Sequence, residues 1–294
     1  MCFTGRRPRW SCWSKGGEAM YPKLIQIGPI TIWSFGVMMA LAFITTSWLL
    51  QRELRRRGID DNAAGWITIA AIVGGIVGAK LFWAFEHFDE FSQAPLRSLF
   101  TGAGLTWYGG LILGAIAVIL TIKAMGKPFL QVADSIGPLI ALGYAIGRMG
   151  CFLSGDGDYG PPSNLPWAMS FEHGTVPPHL NPAIQKLLGT TDVPPDIRVH
   201  PTPLYEIAMS LPIFFFLWSR RRRYEGMPGF LFGMYMVLGG CERFIAEFWR
   251  LTPKTPFGLT VPQTFSLAMI AGGAIFIWYA KSKKAQIRKA RGRR

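Results

Sequence analysis

Residues 64–84 read AGWITIAAIVGGIVGAKLFWA, an apolar run in which Lys80 is the single charged residue. A helix needs about 20 such residues to cross the hydrocarbon core of a bilayer. Only helices and closed barrels satisfy every backbone hydrogen bond within lipid, and this run is far longer than a barrel strand. The stretch therefore predicts a membrane-spanning helix and, with it, an all-α integral membrane protein.

Six more apolar runs of similar length occur along the 294 residues, although glycine and charge interrupt the fourth and sixth of the seven. We expect a bundle of about seven transmembrane helices, at approximately 30–50, 64–84, 107–123, 130–148, 203–219, 228–248 and 263–280. Charged residues make up 16% of the chain, against about 25% in a typical soluble domain. This composition disfavours disorder and an ordinary soluble enzyme.

Basic residues gather in the segments that follow every second predicted helix. Eighteen of the 31 Lys and Arg lie in 51–57, 123–127, 220–223 and 281–294. Because cytoplasmic loops carry the excess of Lys and Arg, we expect the N-terminus outside and the C-terminus in the cytoplasm of a multi-pass membrane protein.

This orientation predicts one polytopic domain over 20–280, with a long extracytoplasmic loop at 149–202 and a basic cytoplasmic tail at 281–294. Residues 1–19 break the pattern, since they carry four basic residues yet would lie outside, and they lack the apolar core of a signal peptide. We interpret them as a dispensable or mis-assigned extension, with Met20 as the start.

The net charge of +14 suggests nucleic acid, an anionic membrane surface or an anionic substrate as partner. The basic clusters sit between apolar runs without a recognisable nucleic-acid-binding module, so we expect no nucleic acid partner. Cys2, Cys12, Cys151 and Cys241 show neither a CxxC pair nor a framework spacing. We predict no metal site and no cofactor.

Charges inside predicted spans are costly and usually mark a functional site. Arg243, Glu247 and Arg250 share one face of a helix. They could form an internal ion-pair network, Glu247 pairing with both arginines, or an anion site, because the arginine fork suits phosphate. Arg148 has no acidic neighbour before Asp156, which favours an anionic ligand for it. In a membrane, an anion with an apolar tail is a phospholipid.

Six motifs in order along residues 20–280 carry a family resemblance. They are LIQIGPITIWSFGVMM at 24–39, WYGGLILG at 107–114, GRMGCFLSGDGDYG at 147–160, VHPTPLYE at 199–206, RFIAEFWR at 243–250 and VPQTFSLAMI at 261–270. Together they resemble the bacterial phosphatidylglycerol–prolipoprotein diacylglyceryl transferases. Each motif alone is weak, and the combination is specific.

The resemblance implies transfer of a diacylglyceryl group from phosphatidylglycerol to the lipobox cysteine of a prolipoprotein, with release of glycerol phosphate, as the first step of lipoprotein maturation. The family's phospholipid-binding arginine matches Arg148, and its second essential arginine matches Arg243. We expect catalytic roles for Arg243 and Tyr108. We expect substrate contacts from Arg148, Asp156, Tyr159, His200, Glu247 and Arg250.

Three departures from the family pattern leave the proton acceptor open. Many members have His in place of Tyr108, Asn in place of Cys151 and Tyr in place of Phe35. A tyrosine, with a pKa near 10, is a poor base, so Tyr108 either hydrogen-bonds a phosphate oxygen or leaves the proton to another residue. The candidates are Asp156, Asp158, Glu247 and His200. Two alternatives remain: a transporter or channel for an anionic or lipid-like solute, and a divergent member with another acceptor.

Overall fold

A computed structural model of the chain describes residues 20–28, 30–93 and 106–291. The predicted extension at 1–19 lies outside these residues. The long helices are α1 (Ser34–Arg56), α2 (Ala63–Glu86), α4 (Trp107–Ala124), α5 (Phe129–Ser154), α7 (Thr202–Arg220), α8 (Phe230–Ala246) and α9 (Val261–Arg291), and the short ones are α3 (Phe88–Gln93) and α6 (Pro182–Leu188). The chain is thus a helical protein, as predicted.

Five of the described helices are long and apolar enough to cross a membrane: α1, α2, α4, α5 and the part of α9 over Val261–Gln286. The prediction of an integral membrane protein built of helices is confirmed at this level. Helix α8 has 17 residues and α7 carries Glu206 in its first turns. The count of seven spans and the orientation of the termini therefore stay predictions.

A short hairpin precedes the first long helix, where the sequence predicted helix from residue 30. Strand β1 (Lys23–Ile27) pairs antiparallel with β2 (Ile30–Trp33). Its turn includes Gly28 at φ 58°, a left-handed conformation that glycine adopts without strain. The β-branched residues of β2 favour the extended backbone, so α1 begins four residues later than predicted.

The contacts divide the chain into two units. The first contains residues 1–42, 141–214 and 237–272, and the second contains residues 43–140, 215–236 and 273–294. In the second unit, glycines let α2 and α4 approach closely. A Cβ added at Gly74 would lie 2.7 Å from Cβ of Ala117, and one at Gly78 would meet the carbonyl oxygen of Gly109. The backbones of α2 and α4 are therefore in close contact at these glycines.

A buried carboxylate fixes the beginning of α8 within the second unit. Asp134 of α5 is 1% exposed, and its two oxygens accept hydrogen bonds from the backbone amides of Gly229 and Phe232, each at 2.8 Å. The first amides of a helix have no partners within it. Asp134 supplies those partners from another helix.

In the first unit, the segment predicted as a non-helical loop at 149–202 is partly regular. Helix α5 continues to Ser154, α6 follows, and β3 (Met169–Ser170) pairs with β4 (Arg198–Val199). A small apolar core stabilises the segment, formed by Met20, Phe152, Tyr159, Phe171, Ile184, Val193 and Val199. The loop is therefore an ordered support for the residues that it carries.

Candidate active site

Three arginines of the first unit surround one buried carboxylate, that of Glu206 on α7. Nε of Arg148 lies 2.8 Å from Oε2 of Glu206. Nη1 of Arg243 lies 2.9 Å from Oε1, and Nη1 of Arg250 lies 3.5 Å from the same oxygen. Glu206 is 0% exposed. Its carboxylate joins arginines that come from α5, from α8 and from the segment after α8.

Two more carboxylates complete the arrangement. Asp158 contacts Nη1 of Arg148 through Oδ2 and Nη2 of Arg250 through Oδ1. Glu247 lies 2.9 Å from Nη2 of Arg243, and 4.0 Å from Nε of Arg250. We call these six residues the arginine cluster: Arg148, Asp158, Glu206, Arg243, Glu247 and Arg250. Its three guanidinium groups are balanced by its three carboxylates.

Local structure explains how three members reach the cluster. Arg243 and Glu247 are one helical turn apart, at the end of α8 and in the 3₁₀ turn Glu247–Trp249 that follows. Asp158 stands on a glycine-rich turn in which Gly157 has φ 94°. The hydroxyl of Thr202 donates to the carbonyl oxygen of Asp158, which fastens this turn to the start of α7.

The expectation that Arg148 lacks a carboxylate partner is wrong. Distance along the sequence had suggested it, whereas folding brings Asp158 and Glu206 to its guanidinium group. The ion-pair network predicted between Arg243 and Glu247 is confirmed, and Arg250 reaches Glu247 at 4.0 Å. Buried ion pairs of this kind require excellent geometry, because desolvation of the charges is expensive. The cluster is thus both a paired network and a concentration of guanidinium groups.

The environment of the cluster alters the acidity of its member Asp158 and of the neighbouring Asp156. Burial alone would raise the pKa of Asp158, but Arg148 and Arg250 outweigh it and lower that pKa to about 2. For Asp156, burial and then the neighbouring charge of Asp158 raise the pKa above its usual value. Near neutral pH, Asp158 is firmly ionised and Asp156 is the more readily protonated of the two.

Cys151, Asp156 and Asp158 form the one group of potential metal ligands among the described residues, with ligand atoms within 4.8 Å of one another. Nη1 of Arg148 lies 3.6 Å from the Cys151 sulfur and also contacts Asp158. A guanidinium group among the ligands repels a divalent cation. The guanidinium group of Arg148 would therefore oppose a cation at these atoms, and the absence of a metal site stays a prediction.

Two residues predicted to contact substrate, Tyr159 and His200, lie in the partly regular segment 149–202. Tyr159 is 2% exposed, and its hydroxyl donates to the carbonyl of Val176 at 2.9 Å. Nδ1 of His200 lies 3.0 Å from the hydroxyl of Tyr205, and burial lowers the pKa of His200. Tyr159 thus holds the turn that bears Asp158, while His200 is close to the first turn of α7.

Sequence reasoning missed Glu206, although it stands within the quoted VHPTPLYE motif. The available signal was a carboxylate inside a predicted membrane span, at 203–219. Glu242 is another carboxylate within a predicted membrane span, and it is 6% exposed. Among the described residues, its Oε1 and the hydroxyl of Tyr144 have no hydrogen-bond partner.

The comparisons with known proteins agree with the motifs. The family model for prolipoprotein diacylglyceryl transferase matches residues 22–279. The chain belongs to this family. Relatives named phosphatidylglycerol–prolipoprotein diacylglyceryl transferase include one from Leptospira interrogans, which is 32% identical over 81% of this chain and 76% of its own length. A relative from Clostridium tetani is 31% identical over 88% of this chain and 97% of its own. One from Erwinia tasmaniensis is 33% identical over 92% and 96%.

In this family member, the two arginines singled out by the resemblance share one carboxylate, since Arg148 and Arg243 both contact Glu206. Tyr108 belongs to the second unit, in the first turn of α4. Its ring makes an edge contact with Trp107, the centroids being 5.2 Å apart. Its catalytic assignment therefore rests on the resemblance and stays a prediction.

Proposed function

We propose that this family member transfers the diacylglyceryl group of phosphatidylglycerol to the lipobox cysteine of prolipoprotein signal peptides and releases glycerol phosphate. The family membership supports the reaction class. The observation that carries the proposal in this chain is the convergence of Arg148, Arg243 and Arg250 on Glu206. Three guanidinium groups in one small volume suit a reaction whose charge develops on phosphate.

The chemistry explains what such a site contributes. The thiol sulfur forms a bond to the glyceryl carbon, the bond from that carbon to the phosphate oxygen breaks, and the thiol proton passes to a base. Negative charge accumulates on the departing glycerol phosphate. Preorganised donors in a water-poor site stabilise developing charge more than they stabilise the bound substrate. Arginine is suited to this role because its fork binds two phosphate oxygens and stays protonated.

We assign the residues accordingly. Arg148 and Arg250 hold the lipid phosphate, and Arg243 stabilises the leaving phosphate. Glu247 positions Arg243, and Tyr159 supports the turn at Asp158. The catalytic role of Tyr108 comes from the resemblance, either as a donor to the phosphate or as the acceptor of the thiol proton. Asp156 and His200 contact substrate and, with Asp158 and Glu247, are the candidate proton acceptors.

The same proposal includes the membrane arrangement. Seven spans would place 149–202 outside and the basic tail at 281–294 in the cytoplasm of a bacterial inner membrane. A reporter fused after Arg223 should then give a cytoplasmic signal, and one inserted near Gly189 an external signal. The second position lies in an exposed stretch that follows α6, so an insertion there leaves the core intact. Reversed signals would overturn the orientation.

Transfer is tested with the full-length protein in phosphatidylglycerol vesicles and a lipobox peptide. The expected result is a peptide that gains one diacylglyceryl group while glycerol phosphate appears in equal amount. A peptide with Ser in place of the lipobox Cys is the matched control and should stay unmodified. A transporter or channel would leave the peptide unchanged. A member with a different acceptor would consume phosphatidylglycerol only with that acceptor, and rescue of a strain depleted of its own transferase would then fail.

A further inference from the structure

The three carboxylates of the arginine cluster differ in their access to water. The side chain of Asp158 is 30% exposed, whereas those of Glu206 and Glu247 are 0% exposed. Each of the two oxygens of Asp158 contacts a different arginine, Arg148 or Arg250, an arrangement that the buried Glu206 shares and that Asp158 makes within reach of water. Of the three acids, Asp158 alone bridges two guanidinium groups at the side of the cluster open to solvent.

A phosphodiester offers the same pattern of acceptors, with one negative charge shared by two non-bridging oxygens. We propose that Asp158 occupies the subsite for the donor lipid's phosphate and is displaced from Arg148 and Arg250 when that phosphate binds. The proposal rests on the proposed transferase function. It makes Asp158 a competitor that sets the affinity of the subsite for anionic lipid.

Charge balance explains why an exchange is required. The guanidinium groups of the cluster are already matched by its carboxylates, and Glu242 adds another buried acid beside Arg243. A phosphate added without the departure of a carboxylate would leave an unmatched negative charge in a desolvated site, which is expensive. One phosphate in place of one carboxylate keeps the balance. Glu206 and Glu247 cannot be exchanged, since they would remain buried without their partners.

The surrounding contacts indicate that the side chain moves and the backbone does not. The hydroxyl of Thr202 donates to the carbonyl oxygen of Asp158, and the amide of Gly160 donates to the carbonyl of His200 at 2.9 Å. Tyr159, the residue between Asp158 and Gly160, is buried and further restrains the turn. The carboxylate can therefore rotate into water, where its charge is solvated, while the turn keeps its shape. When the phosphate leaves, the carboxylate can return to the two arginines.

The test measures lipid affinity without a peptide acceptor, so that no transfer occurs. The full chain in detergent is titrated with phosphatidylglycerol and, separately, with glycerol phosphate, which carries the phosphate without the acyl chains. Asp158→Asn should bind both ligands about tenfold more tightly, since a charge-assisted hydrogen bond contributes at least the 1.4 kcal/mol that tenfold represents. Asp196→Asn removes the same charge from an exposed residue of the same segment and should leave both affinities unchanged.

A second variant keeps every charge in place. Thr202→Val removes the hydroxyl that holds the Asp158 carbonyl, so it should loosen the carboxylate and tighten phosphatidylglycerol binding by a smaller factor. If Asp158→Asn fails to fold, Thr202→Val still tests the proposal. Unchanged or weaker binding of phosphatidylglycerol in the folded variants would overturn the proposal and make Asp158 a structural clamp. Tighter binding of glycerol phosphate alone would also overturn it, because the donor lipid would then use another subsite.

Failure of this inference can be distinguished from failure of the proposed function. If the parent protein modifies the lipobox peptide but Asp158→Asn binds lipid no more tightly, only the role of Asp158 falls. If the parent protein modifies no peptide, the transferase function falls, whatever the affinities are.

Discussion

Nε of Arg148 lies 2.8 Å from Oε2 of Glu206, and the two side chains are 12% and 0% exposed. The carboxylate that neutralises Arg148 is the same one that Arg243 contacts at 2.9 Å. The two arginines are thereby held at a fixed separation by an acid that cannot reach water. A rigid spacing of this kind preorganises donors for a phosphate, because the cost of orienting them is met on folding.

Arg148→Lys should lose most of the transfer activity, as should Arg148→Ala. A lysine carries the charge but offers one donor centre, whereas the arginine contacts Glu206 through Nε and Asp158 through Nη1. The measurement is the rate of lipobox-peptide modification in phosphatidylglycerol vesicles, together with the amount of protein inserted in membranes. Normal insertion with near-parental activity in Arg148→Lys would contradict the requirement for a guanidinium group with several donors.

Glu206→Gln should destabilise the protein and abolish transfer. The amide keeps the shape of the side chain but leaves Arg148 and Arg243 short of one buried negative charge, and breaking a buried pair costs about 3–5 kcal/mol. The thermal unfolding midpoint in detergent is compared with that of Glu172→Gln, the same change at an exposed residue. The control should match the parent protein. An unchanged midpoint in Glu206→Gln would show that Glu206 does not hold the cluster together.

The pH dependence of stability should change in His200→Gln. Burial lowers the pKa of His200 below its usual 6.5, so the folded protein binds this proton less readily than the unfolded chain does. The stability associated with His200 is therefore complete above the unfolded pKa and is lost as the pH falls through the lower, folded pKa. Between pH 7 and pH 5 the midpoint of the parent protein should fall more than that of His200→Gln. Parallel curves would show that His200 titrates alike in both states.

The helical character could be predicted from the sequence because the length of an apolar run is read directly from consecutive residues. Every apolar run that predicted a helix contains one. The hairpin at 23–33 was missed because β-branched residues in an apolar run read equally as strand or as helix. Hydropathy alone does not show that the two strands pair through a turn at Gly28.

The candidate site could be predicted in part. The pair formed by Arg243 and Glu247 follows from helical spacing. The partners of Arg148 do not, because Asp158 and Glu206 meet it only through folding of the glycine-rich turn and the start of α7. Charges brought together by tertiary structure leave no periodic trace in the sequence. This is why Arg148 was expected to need a ligand to neutralise it, whereas it has carboxylate partners already.

Gly78→Ala should weaken the contact between α2 and α4. The added Cβ would meet the carbonyl oxygen of Gly109 and lie 2.6 Å from Cβ of Leu113, and overpacking of this kind costs about 1–3 kcal/mol. Gly65→Ala is the matched control on the same helix, because nothing lies within 4 Å of its Cβ position. The control should be neutral or stabilising by up to about 1 kcal/mol. Equal unfolding midpoints in the two variants would contradict the close packing.

Tyr108→Phe tests the residue in which this chain departs from the commoner family pattern. The ring stays and keeps its edge contact with Trp107, so the variant removes only the hydroxyl. If that hydroxyl donates to the substrate phosphate, the loss of one charge-assisted hydrogen bond of about 1.5–3 kcal/mol should slow transfer by about tenfold to a hundredfold or slightly more. If Tyr108 instead accepts the thiol proton, the loss should be larger, and the activity of the parent protein should rise steeply with pH, because tyrosine ionises near pH 10.

Tyr108→His separates these two roles further. Histidine ionises near pH 6.5, so a residue that acts as the base should then work at neutral pH, and the rise in activity should move to lower pH than in the parent. A residue that only donates to phosphate should give a pH profile of parental shape at a changed level. The measurement is lipobox-peptide modification across a pH series for both variants. A parental rate and profile in Tyr108→Phe would contradict both roles and leave Tyr108 as an aromatic residue that packs beside Trp107.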